Sequence, residues 1–105
     1  MAKTAALRVL EAAKARFEIC DYKYVDRGGT RASSAALGVD EHAVIKTLVF
    51  EKSKSEPLIV LMHGDRQVSL RGLARHLGAK SIKPCTPEAA QKHSGYRVGG
   101  TSPFG

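Results

Sequence analysis

Val44-Ile45-Lys46-Thr47-Leu48-Val49-Phe50 is the densest run of β-branched and large apolar residues in the chain. Such a run predicts a strand. Alternation puts Val44, Leu48 and Phe50 on one face, and Ile45 and Val49 on the other. A strand apolar on both faces belongs in the middle of a sheet that is covered on both sides. Lys46 shares the face of Val44, Leu48 and Phe50. An ammonium there must be paired, reach out to solvent, or face a cavity that something polar enters. Two readings follow: a lysine at the solvated rim of a strand that starts late, or a lysine lining a ligand pocket.

Working outward, residues 51–57 are polar and let the chain reverse. Leu58-Ile59-Val60-Leu61-Met62 then reads as a second buried strand, the hairpin partner of the first. His63-Gly64-Asp65-Arg66 turns again. The clearest helix follows: Ser69 caps it, Leu70, Leu73, Ala74 and Leu77 share one face, and Gly78 ends it. Ser81-Ile82-Lys83 is a short extended piece. Thr86-Pro87 opens another helix, with Pro at its first position, and Gly95 closes it. Tyr96-Arg97-Val98 reads as a brief strand before the tail Gly99-Gly100-Thr101-Ser102-Pro103-Phe104-Gly105. Upstream, Asp40 caps a helical turn, Ser33 to Leu37 is a short helix closed by Gly38, and Asp26-Arg27-Gly28-Gly29 is a turn. Glu18 to Val25 alternates, with Cys20, Tyr22 and Tyr24 on one face, and predicts a strand. Thr4 to Phe17 predicts an amphipathic helix. Interspersed helices and strands make a single α/β (α+β) domain, residues 1–105, with a mixed sheet and flanking helices.

Composition narrows the function. The net charge is +7 and is unevenly placed. Residues 1–65 carry ten Lys/Arg and nine Asp/Glu; residues 66–105 carry seven Lys/Arg against Glu88 alone. That basic half suits a polyanion, and Arg71, Arg75, Lys80 and Lys83 are its candidate phosphate contacts. With six aromatics and no Trp, a broad base-stacking platform is not expected. The charged N-terminus lacks the apolar segment of a signal peptide, and no run approaches the ~20 apolar residues of a membrane span. A cytoplasmic protein without membrane contact is expected. Cys20 and Cys85 are far apart, the four histidines are scattered, and no metal-ligand spacing or cofactor motif occurs.

The terminal glycine-rich loop is the second unusual stretch. Paired glycines let backbone N–H and C=O groups approach a ligand, and Thr101 and Ser102 add hydroxyls; the rival reading is a frayed tail. Gly28-Gly29-Thr30 has no following GK[ST] and reads as a plain turn. Cys85 reads as a small buried residue. No Ser/His/Asp or Cys/His arrangement and no acid/base pair is present. An enzyme built this way works through positioning, backbone dipoles and a nucleophile brought by the substrate.

Taken together, Val44 to Phe50, Leu58 to Met62, Gly64-Asp65-Arg66, Leu70 to Lys80 and Gly95 to Gly105 resemble, in order and spacing, the YbaK family. This is the aminoacyl-tRNA editing domain also found inserted in bacterial prolyl-tRNA synthetases. The resemblance implies a YbaK-like editing-domain fold and deacylation of mischarged tRNA in trans, of the Cys-tRNA(Pro) or Ala-tRNA(Pro) kind. It implies that Lys46 is the residue most tied to activity. It also implies that the loop Gly99, Gly100, Thr101, Ser102, Pro103 sets backbone groups around the aminoacyl ester. Tyr22 matches a pocket-wall tyrosine, and Thr47 of the KT motif joins the substrate-binding set. In the cysteine branch the substrate thiol attacks its own ester; in others, water attacks. The implied partners are the acceptor end of tRNA and prolyl-tRNA synthetase.

Relative to the family the chain is C-terminally short. Family members continue into further strands and a second glycine/serine loop, and a pocket phenylalanine of the cysteine branch has no counterpart in Gly28 to Ala32. An unpaired sheet edge is therefore expected, and three readings follow: a fragment, a shortened natural form, or a chain that closes its sheet as a homodimer. The competing reading is a degenerate editing domain that binds tRNA or a synthetase and hydrolyses nothing.

Overall fold

The computed structural model describes residues 4–53, 56–97 and 100–105. Strand β1 spans Ile45–Ser53 and strand β2 spans Glu56–His63. They pair antiparallel, with Lys46 opposite Met62, Leu48 opposite Val60 and Phe50 opposite Leu58. Strand β3, Lys83–Pro84, pairs antiparallel with the other edge of β1 at Phe50 and Glu51. The order is β2-β1-β3, so the predicted central strand is central. All three described strands run antiparallel where a mixed sheet was expected. The reason is that β2 returns by a hairpin, and the run through residues 70–84 brings the chain back against β1 rather than alongside it.

The described helices are α1 (Ala5–Ala12), α2 (Gly29–Leu37), α3 (Leu70–Leu77) and α4 (Pro87–Ser94). Helices α3 and α4 match the expected caps: Ser69 accepts from the N–H of Gly72, Thr86 from that of Ala89, and Gly78 and Gly95 take positive φ. Asp40 accepts from His42 and starts a 3-10 turn at Glu41–Ala43. Two N-terminal expectations are corrected. Helix α1 stops at Ala12, because Lys14 adopts φ 55 and the amides of Lys14 and Ala15 turn back to the carbonyls of Glu11 and Leu10. That is a glycine-type helix stop made by lysine. Helix α2 begins at Gly29, four residues earlier than expected, taking in the supposed glycine turn.

The core lies on one face of the sheet. Phe50, Ala74 and Ile82 are buried there, packed by Leu48, Leu58, Val60, Val68, Leu70, Leu73 and Ala79. Helix α3 supplies the cover because its apolar stripe faces Leu48 and Phe50. The opposite face is covered only in part: α4 lies over its Val49 and Glu51 end, while Ile45, Ile59 and Leu61 stay about half exposed. Residues 18–25 are a further correction. They form no strand, and Ile19, Tyr22, Tyr24 and Val25 are exposed. An alternating segment becomes a strand only beside a partner that takes its backbone hydrogen bonds, and among the described residues none does. Tyr96 and Arg97 are likewise outside any strand, and Val98 lies outside the described residues. The Cα radius of gyration, 14.8 Å, exceeds the ~13 Å of a compact domain this long, which fits a core on one side only.

Candidate active site

Lys46 is the second residue of β1, half-buried at the end of the sheet. Its Nζ donates to the carbonyl oxygen of Gly64 at 3.2 Å. Gly64 follows β2 directly and is buried, with its N–H bonded to the Val44 carbonyl at 2.7 Å. The Gly64 carbonyl also lies 3.1 Å from the Thr30 hydroxyl, which sits 2.9 Å from Glu41 Oε2. Lys46 is therefore a rim lysine, and it is also held by a built partner. Strand, 3-10 turn and α2 converge on one carbonyl that aims the ammonium.

Histidines surround this point. His63 Nδ1 donates to the His42 carbonyl at 2.7 Å, and the His42 and His63 rings stack with centroids 3.8 Å apart. His42 Nδ1 meets Asp65 Oδ1 at 2.7 Å. Burial raises the Asp65 carboxyl, but the bond and charge of His42, its own backbone bond and the Arg66 charge outweigh it. The carboxyl is held below the ordinary value. A carbonyl and an ionised carboxylate only accept, so both rings carry the proton on Nδ1. The result is a polar rim that can bind a sugar or an ester oxygen and hold a cation beside it.

The other predicted residues fall elsewhere. Thr47 pairs with Leu61 and points to the face opposite Lys46. Tyr22 is exposed outside any element. Gly99 lies outside the described residues. Gly100 donates to the Arg97 carbonyl at 2.9 Å, and Thr101 and Ser102 are half-buried. Ser102 Oγ accepts from the Phe104 N–H, and the Tyr96 hydroxyl donates to the Phe104 carbonyl, so the loop is folded upon itself. Pro103 is exposed. No described hydrogen bond joins this loop to Lys46. Arg71, Arg75, Lys80 and Lys83 are all exposed, and none takes part in an ion pair among the described residues. Arg71 and Arg75 stand on α3 away from its core stripe.

A second cluster had no sequence signal. Glu51 of β1, Cys85 after β3 and His93 of α4 bring their donor atoms within 4.8 Å of one another. Their spacing is set only by strand pairing and by the docking of α4, so no short motif announces them. Cys85 is half-buried rather than buried. Burial first, then the Glu51 charge and hydrogen bond, push its thiol above the ordinary value, with Lys83 pulling the other way. Cys20 is exposed. Limiting iodoacetamide near neutral pH is expected to label Cys20 well before Cys85, read by peptide mass mapping; equal labelling would mean that Cys85 is open to solvent.

Residues 28–105 match the family model described as the aminoacyl-tRNA editing domain. The chain belongs to this family. The chain is 27% identical over 104 residues to an Enterococcus faecalis protein provisionally named Cys-tRNA(Pro)/Cys-tRNA(Cys) deacylase EbsC, spanning 98% of this chain and 63% of the relative. Over 72 residues it is 39% identical to the proline–tRNA ligase of Nitratidesulfovibrio vulgaris, covering 69% of this chain and 12% of the ligase. It therefore spans less than two thirds of the length of either. Among solved structures, a protein provisionally described as a trans-editing enzyme for prolyl tRNA synthetase superposes on all of this chain and 68% of its own. The TM-score is 0.74 at 21% identity, which shows the shared fold. No helix in the described residues is long and apolar enough to cross a membrane.

Proposed function

We propose that this editing domain hydrolyses the ester of mischarged aminoacyl-tRNA in trans, with Cys-tRNA(Pro) or Ala-tRNA(Pro) as substrate. The observation that carries the reading is Lys46, whose ammonium is held by the Gly64 carbonyl at the open end of the sheet. There it meets the ester carbonyl or the terminal ribose and phosphate, favouring the negative charge that develops during acyl transfer. The backbone of the 99–103 loop orients the ester. The nucleophile is the substrate thiol or water. Family membership and the similarity to EbsC and the ligases support the substrate class.

Deacylation of purified Cys-tRNA(Pro) and Ala-tRNA(Pro) tests this. Ester loss well above the protein-free rate is expected. Binding without turnover would replace the proposal with a non-catalytic tRNA-binding role. Because Arg71 and Arg75 are exposed and form no ion pair among the described residues, the double alanine variant is expected to melt like the parent. Its tRNA affinity should fall, with a salt dependence shallower by about two phosphate contacts. An unchanged slope measured by fluorescence anisotropy would remove α3 from the tRNA surface.

A further inference from the structure

We propose that Glu51, Cys85 and His93 form a binding site for a zinc-class divalent cation, separate from the Lys46 rim. Thiolate, imidazole and carboxylate are the donor types that zinc takes, and three protein donors leave a fourth position for water. Glu51 Oε1 and His93 Nε2 stand 3.5 Å apart, close to the roughly 3.4 Å between two ligands of a tetrahedral zinc. All three donor atoms lie within 4.8 Å, so the thiol has about an ångström to close. Glu51 and Cys85 are half-buried while His93 stands at the exposed rim, so the site is open for ion entry.

The surroundings suit an open coordination position. A cavity of about 320 Å³ adjoins the cluster, lined by Val49, Pro57, Leu58, Ile59, His93 and Ser94. Glu51 and Val49 share one face of β1, the face on which α4 lies, so cluster and cavity are continuous. Lys83, the cross-strand partner of Glu51, is the nearby cation that opposes binding. On binding, the Cys85 thiol releases its proton to solvent, and the resulting thiolate and the Glu51 carboxylate together exceed that one opposing charge. The ion would tie β1, the segment after β3, and α4 into one unit. Since α4 runs into the 95–105 segment, it would also fix the root of the glycine-rich loop.

Titration of the full chain with Co²⁺ and Zn²⁺ tests the site. One equivalent of Co²⁺ is expected to give the intense visible bands of tetrahedral cobalt together with a thiolate charge-transfer band, and Zn²⁺ should displace it and raise the melting temperature. Cys85→Ser should lose the charge-transfer band, and His93→Ala, at a more exposed position, should weaken binding at least tenfold. Cys20→Ser should change neither. A weak octahedral spectrum, or a thiolate band that survives Cys85→Ser, would overturn the proposal and leave the cluster a Glu–His ion pair with a capped thiol. Deacylation is not the readout, so the site stands or falls apart from the editing reaction.

Discussion

Replacing Lys46 by methionine is expected to lower deacylation about 100-fold or more while leaving the fold intact. Methionine keeps an unbranched apolar stem against the sheet end and removes only the ammonium. The lost interaction acts on charge that develops in the transition state, where one donor is typically worth about 2.7–4 kcal/mol. Its loss from the ground-state fold is smaller, about 1 kcal/mol, because the Gly64 carbonyl stays within 3.1 Å of the Thr30 hydroxyl and is not orphaned. Single-turnover deacylation and a thermal melt separate the two effects. Equal rates for variant and parent would remove Lys46 from the reaction. A collapsed melt with a matching loss of rate would make it a structural residue.

Gly64→Ala is expected to be the most destabilising conservative change at the site. A Cβ there would stand 2.7 Å from the Glu41 carbonyl and 2.8 Å from both Cβ and Oγ1 of Thr30. Two of the three elements that meet at Gly64 would have to move apart, one of them through its backbone. Such overpacking costs about 1–3 kcal/mol, and losing the Thr30 contacts adds to it. For a domain this small each kcal/mol lowers the melting temperature by roughly 4–8 °C. A fall on the order of 10–20 °C is therefore expected, with activity lost because Lys46 loses its anchor. Gly100→Ala is the control: among the described residues its Cβ would meet only the Arg97 carbonyl, at 3.6 Å, an ordinary contact. If Gly64→Ala melts no lower than Gly100→Ala, Gly64 is not the tight junction described.

Legibility followed the range of the interactions. Helices α3 and α4 could be read because their caps and stripes are local: Ser69, Gly78, Thr86, Pro87 and Gly95 each act within a turn of where they stand. The β1–β2 hairpin could be read because two apolar runs lie one reversal apart. Residues 18–25 show the opposite case. Their alternation is real, but a strand is a property of a pair, and the side chains of Tyr22, Tyr24 and Val25 remain in solvent. Lys14 shows another: a lysine in the left-handed region stops α1, and nothing in its local sequence sets it apart from a helix-continuing residue.

From sequence alone came the domain class, the central strand, the oddity of Lys46 and the concentration of positive charge after residue 65. These rest on composition and on periods of 2 and 3.6, which are local. The tertiary structure decided what Lys46 touches. It gathered Thr30, Glu41, His42, Gly64 and Asp65 around the strand end, left Ile45, Ile59 and Leu61 half exposed, and brought Glu51, Cys85 and His93 together. Each of these depends on which strands pair and which helix docks. Pairing and docking are set by the burial of Phe50, Ala74 and Ile82, residues distant in sequence whose apolar surfaces leave water only together.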